Sequence, residues 1–283
     1  MSENQAQILN VKAYTRWSPY LEKCCLLLSA NESYERAAED IQVLTGVMVS
    51  HSTQQRLVHR QTFDLPQVEP AVDEISVDGG KVRLRTPKGK PSEWRDYKGV
   101  NLHQCCVGAF FQDNQRLVNW VNAQPLSHPL TCLGDGHDGI WNIVQQIGSD
   151  SQRREILDWY HLVENLGKVG GSQQRLDAVE AFLWKGDVDS AIGQFNDWQH
   201  ERVSTFSAYL NKHRHRIVNY GYYQAEGISY AFGGAKPYGS GAIESTVKQI
   251  GRRIKISGAQ REKDNVPQVL QHRSAYLNGQ FSK

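Results

Sequence analysis

The sequence predicts a mixed α/β fold with a pair of short helices ahead of it and an all-helical stretch inside it. Three observations carry this. Apolar residues recur at helical spacing before about residue 62 and again over 167–224. Over 74–160, alternating residues and short apolar runs that end in glycine mark strands. Strands come first and strand–helix units follow, the order of a mixed sheet. The 283 residues, 39% hydrophobic and 22% charged, allow one or two domains with a sizeable core and exclude disorder or a fibrous repeat. The longest apolar run, CCLLL at 24–28, is far too short to cross a bilayer. MSENQAQ at the start has neither the basic nor the apolar segment of an export signal, so a cytoplasmic location and no membrane partner are expected.

The elements follow in order. A helix near 19–28 is expected to pack beneath a helix pair spanning about 29–61. In the first of the pair, Ala37, Ala38, Ile41 and Leu44 share a face, Ser29 and Glu32 are spaced as a capping box, and Gly46 is a plausible stop. Ser52 and Gln55 repeat the capping spacing at the head of STQQRLVHR. This is a helix-turn-helix layout, and its second helix would offer Thr53, Gln54, Arg56, His59 and Arg60 to phosphates or base edges. Ordinary helix pairs with such turns are also common. After a Pro-rich acidic linker, EISVD reads as a strand, Gly79–Gly80 as a hairpin-like turn, and KVRLR as its return. TPKGKPSEW is a loop, 98–111 one or two strands, 130–133 a strand running into GDG, 139–147 a helix, and 155–160 a strand passing into a helix at His161. The 167–224 stretch is helical, 227–241 a glycine-rich loop, and helices are expected near 242–256 and 265–277. The implied parts are a helical region at 1–66, a sheet-bearing region at 70–166, a helical insertion at 167–230 and a closing region at 231–283.

Charge is unevenly spread. Residues 211–283 hold twelve Lys and Arg against four Asp and Glu, a surplus of eight positive charges in a chain whose net charge is only +2. KHRHR and GRRIK concentrate it, which suits a phosphate-tracking surface, although each cluster alone could be a solvated helix face. Cys24–Cys25 and Cys105–Cys106 are adjacent pairs, Cys132 stands alone, and there is no CxxC. The five are read as reduced thiols acting as small apolar residues.

Three acids stand out by placement. Asp78 leaves the EISVD strand, Asp135 leaves LTCLG, and Glu244 sits one turn into a helix that opens after GSG. Carboxylates brought together repel in a low-dielectric site, and divalent cations offset that most naturally. Hard oxygen donors suit Mg²⁺, and two such ions activate an attacking oxygen and stabilise a leaving one in phosphoryl transfer. Each acid also has a plainer reading. Asp78 could be a turn residue, Asp135 or Asp138 a helix N-cap, and Glu244 a first-turn dipole partner in contact with Lys248.

VDGGKV, LGDGHDGIWN, ILDWYHLVENL and GSGAIESTVKQIGRRIKISG, in this order, resemble the ISKra-type DDE transposases of bacterial insertion sequences, over about 14–277. The resemblance implies a ribonuclease-H-like mixed sheet with an all-helical insertion before the last acid. It implies that Asp78, Asp135 and Glu244 are the catalytic acids that bind two Mg²⁺ (or Mn²⁺) ions. It further implies metal-dependent cleavage and strand transfer at DNA ends, terminal inverted repeats and target DNA as partners, and a homo-oligomeric synaptic complex. Asp158 and His161 match the D-x-x-H element of related Mutator-like transposases. They could form a hydrogen-bonded pair near the site or simply pack, and His161 is not expected to bind metal. Lys248 and Arg252 would share the face of Glu244, with Arg253 and Lys255 completing a DNA-contacting group. A non-catalytic, transposase-derived DNA-binding protein and a ribonuclease-H-type nuclease without joining activity are the competing expectations.

Overall fold

Gly79 and Gly80 do not turn the chain: the first strand, β1, runs unbroken from Val72 to Leu84. Neither glycine has a positive φ, so the backbone stays extended, and the missing side chains serve packing instead. A Cβ on Gly80 would lie 2.3 Å from Cζ of the fully buried Tyr97. The hairpin expected here is thus corrected to one long strand. The turn into β2 (Glu93–Leu102) comes later, where Lys90 N–H donates to the Pro87 carbonyl at 3.0 Å and Gly89 adopts a φ of 83°.

The computed structural model describes residues 3–8, 17–103, 105–225, 241–256 and 258–281. It forms two compact units, one of residues 67–80 and 97–247, the other of 1–66, 81–96 and 248–283.

The second of these begins with α1 (Glu3–Ile8), α2 (Pro19–Ser29), α3 (Tyr34–Thr45) and α4 (His51–Arg60). The expected helix pair is present, and Gly46, at φ 72°, ends α3 as anticipated. Both capping serines differ from expectation. Ser33 caps α3 by accepting from Arg36 N–H at 3.1 Å, because the Ser29 hydroxyl is already committed to the Cys25 carbonyl at 2.6 Å inside α2. Ser50 caps α4 through Thr53 N–H, and Ser52 lies within the helix. Cys25, Leu26, Ile41, Leu57, Val58 and Phe63 close a core beneath the pair, which α2 joins as expected.

The other unit carries the sheet, completed by β3 (Cys106–Phe111), β4 (Leu126–Gly134) and β5 (Arg153–Leu157) in the order β3-β2-β1-β4-β5. β2 and β3 are antiparallel, while β1–β4 and β4–β5 are parallel, so the sheet is mixed and the class is α/β as expected. Residues 130–134 of β4 are all buried, the mark of a strand covered on both faces. Around the sheet lie α5 (Asn114–Asn122), α6 (Asp138–Val144), α7 (Trp159–Val169), α8 (Gln173–Trp184), α9 (Val188–Gly193), α10 (Glu201–Lys212), α11 (Tyr220–Ala225) and the start of α12 (Gly241–Ile254). The helices that follow β5 are anchored on the sheet by Tyr220, whose hydroxyl donates to the Leu157 carbonyl at 2.8 Å and whose ring packs on Trp159 and Trp184. The glycine-rich stretch expected at 227–241 lies outside the described residues but for its last position.

The remainder of α12 and α13 (Val266–Leu277) complete the unit of residues 1–66, 81–96 and 248–283. His272 of α13 sits against Phe63 and 2.9 Å from the Leu26 carbonyl, tying the C-terminal helix to the N-terminal core. None of the described helices is long and apolar enough to cross a membrane.

Candidate active site

The parallel register brings the acids of three strands level. Ser76 of β1 pairs with Leu133 of β4, so two residues further on Asp78 stands beside Asp135. Gly134 of β4 pairs with Leu157 of β5, so one residue further on Asp135 stands beside Asp158. Asp135 and Asp158 leave the carboxyl ends of β4 and β5, where open α/β sheets place their ligands, whereas Asp78, expected at a strand exit, lies within β1. The paired strands behind them fix where these side chains stand.

Each acid is held differently. Asp78 accepts a hydrogen bond from Gly79 N–H. Burial pushes its carboxyl above the ordinary range and the charge of Asp135 adds to that, while the Gly79 N–H, His161 and Lys98 pull the other way. Asp135 accepts from His137 N–H at 2.9 Å, and its carbonyl accepts from the Trp141 indole at 2.7 Å. His137, rather than Asp135 or Asp138, is the N-cap of α6. Asp158, almost fully buried, caps α7 by accepting from His161 N–H at 2.9 Å. Its Oδ1 also lies 3.2 Å from Nδ1 of His161, an ion-pair contact. The Asp158 carboxylate, helped by the charges of Asp135 and Asp78 and opposed by burial, lifts the His161 pKa to about 9. His161 is therefore a cation at neutral pH, standing among three carboxylates.

Two glycines leave room that side chains at the site use. A Cβ on Gly136 would fall 2.4 Å from the ring of Tyr209, and one on Gly79 would come 3.0 Å from Nζ of Lys98. Tyr209 thus packs one residue from Asp135. Burial, reinforced by Asp135 and Asp158, pushes its phenol up to about 12. Beside Tyr209 a groove of about 650 Å³ opens between α7 and α10, lined by Asn165, Lys168, Arg202 and Phe206 among others. Lys98, Tyr209 and the groove cations were not anticipated. A single sequence gives no sign that Lys98, 20 positions from Asp78, and Tyr209, 74 from Asp135, stand beside them.

Glu244 lies in α12 at the expected one-turn depth, but its side chain is outside those described. The helix around it is tied to β2. Asn101 donates to Thr246 Oγ1 at 3.0 Å, and the Tyr97 hydroxyl donates to the Val247 carbonyl at 3.4 Å. Among the described residues no three acidic, His or Cys side chains form a metal-holding group.

The residues expected to touch DNA divide. Arg56, Arg60, Lys248, Arg252 and Lys255 are exposed, and Thr53 is half-buried beside Ser50. Gln54 and Arg253 are fully buried. That corrects both assignments, since a side chain without solvent contact cannot meet a phosphate. Arg253 instead donates from Nε to the Ser29 carbonyl at 2.6 Å and stacks over the Tyr34 ring at 4.8 Å. No protein-family model matches the chain, and comparison with curated proteins returns no match.

Proposed function

We propose that this chain is a DDE transposase, a metal-dependent polynucleotidyl transferase that cuts DNA at insertion-sequence ends and joins them to a target. The observation that carries the reading is the level placement of Asp78, within β1, and Asp135, at the end of the adjacent parallel strand β4, with Asp158 next in line. The resemblance in sequence supplies the reaction and the ribonuclease-H-like character of the sheet. On this reading α3 and α4 are the helix-turn-helix, and Arg56, Arg60, Lys248, Arg252 and Lys255 meet phosphates.

The donor set fits a hard divalent ion. Asp78 is half-buried, and that burial, with the neighbouring Asp135 carboxylate adding to it, raises its pKa, so the pair favours a bound cation. Asp78, Asp135 and Glu244 would hold two Mg²⁺ or Mn²⁺ ions. Such ions supply Lewis acidity, making water or a 3′-hydroxyl a better nucleophile and easing departure of the leaving oxygen. The chain's own groups orient the DNA. His161, kept cationic by Asp158, offsets the negative charge of the site and holds its ring in place. Lys98 brings an ammonium to the Asp78 side, where a non-bridging phosphate oxygen can accept from it. Lys168 and Arg202 line the groove by which a strand reaches the carboxylates. Tyr209, packed against Gly136, fixes the wall between groove and carboxylates.

The test is incubation with labelled duplex from the DNA flanking the gene, in Mn²⁺. Cleavage and joining are expected, both abolished in Asp78→Ala and Asp135→Ala. Cleavage without joining would make the chain a nuclease. Binding without cleavage in either metal would make it a non-catalytic DNA-binding protein.

A further inference from the structure

We infer that the ribbon formed by the end of β1, the start of β2 and the turn between them, residues 81–96, is a separate DNA-binding surface. Its lysines grip duplex phosphates and Trp94 packs on the sugar–base edge. The inference rests on the reading above only in taking DNA as the substrate.

Three features point to it. The first is charge. Residues 81–96 hold Lys81, Arg83, Arg85, Lys88, Lys90 and Arg95 against Glu93 and Asp96 alone. This surplus is set in the part of the chain before residue 211, which is acidic overall. Arg85 pairs with Glu262 and Arg95 with Glu93. Lys88 and Lys90, at the exposed tip, form no ion pair among the described residues. Exposed cations left without carboxylates are those that can release counterions on meeting a polyanion.

The second is the two-faced strand. Val82 and Leu84 are buried, and the backbone of Arg83 and Arg85 is latched to Arg261 by hydrogen bonds of 3.0 and 2.8 Å. Alternation then sends Lys81, Arg83 and Arg85 to the opposite face. Arg83 Nε donates to Ser92 Oγ across the ribbon at 2.9 Å, which stiffens it. A two-stranded ribbon has the width that a major groove admits.

The third is Trp94, which leaves 49% of its surface in water amid these cations. The exposed half of the indole is free to meet a ligand. On DNA its π-face would pack against a deoxyribose or an unstacked base. An acidic protein would match the charge as well, but it offers an indole no comparable stack.

The experiment uses the full chain and a 30-base-pair duplex, with affinity measured across a salt series. For Lys88→Ala/Lys90→Ala, the slope of log affinity against log salt should flatten by about 2, with roughly a hundredfold loss at 0.1 M salt. Trp94→Ala should weaken binding about fivefold to a hundredfold with the slope unchanged, since no charge is removed. Unfolding of each variant by urea shows that the fold is kept. An unaltered slope in the double variant, or wild-type protein that ignores the duplex and binds acidic protein instead, would overturn the inference. The catalytic reading fails separately: a flattened slope in a protein that never cleaves DNA keeps the ribbon and removes the transposase.

Discussion

Arg252 is open to solvent while Arg253, one residue on, is sealed against Ser29 and Tyr34. Helical geometry turns neighbours about 100° apart, so a basic pair on one helix serves two ends. Burial lowers the Arg253 pKa to about 10, with the nearby charges of Arg261 and Arg273 adding to the effect. Arg253→Ala should cost about 1–3 kcal/mol in urea unfolding and leave the salt dependence of DNA binding unchanged. Arg252→Ala should do the reverse, flattening the slope by about 1 with little change in stability. Equal behaviour of the two variants would contradict this assignment. Gly80 is the other residue whose role is spatial. Its Cβ would strike Tyr97, whose ring is buried and has nowhere to swing, so Gly80→Ala should destabilise by about 1–3 kcal/mol.

Among the elements, α3 and α4 were legible because their periodic apolar residues and serine caps are local signals. The particular serines were not, since Ser29 and Ser52 have the Glu or Gln three residues on that a capping box asks for, and Ser33 and Ser50 do not. Only the geometry of the preceding turn separates them. Ser50→Ala should therefore cost about 1 kcal/mol and Ser52→Ala much less, as measured by thermal unfolding. The sequence of β1 suggests two strands because two glycines in a row signal a turn when nothing nearby in the chain shows the tyrosine that demands the space. α5 escaped notice although Leu117, Val118 and Val121 share its buried face and Asp113 caps it. Its six other residues are mostly polar, which dilutes the period. The strand-end position of Asp135 was readable from the glycines around it, while the pair after Asp78 suggested an end where β1 runs on to Leu84. That Asp158 falls level with them was not, because register between distant strands leaves no trace in a single sequence.

At the scale of the whole molecule, buried histidines set the acid limit of stability. Burial, together with Arg253 and Arg273, lowers the His272 pKa from 6.5 to about 3, and burial lowers that of His213 to about 4. Between those values and 6.5 the unfolded chain binds more protons than the folded one, so stability rises with pH through that window. Their contribution is complete above pH 6.5 and is lost as the pH falls. The urea midpoint should drop steadily from pH 6.5 to 4, and His272→Gln should flatten that decline. A midpoint insensitive to pH in this range would mean that the imidazoles are already protonated when folded. The larger question for the molecule is whether Asp78, Asp135 and Glu244, carried by β1, the end of β4 and α12, serve one shared ion site. Iron-directed cleavage answers it most directly. With Fe²⁺ replacing Mg²⁺ and with ascorbate and peroxide added, radicals formed at the bound ion cut the nearest backbone. Fragments mapped by mass spectrometry should end near residues 78, 135 and 244 and disappear with excess Mg²⁺. Cuts confined to other regions, or cuts near 78 and 135 with none near 244, would contradict the shared site.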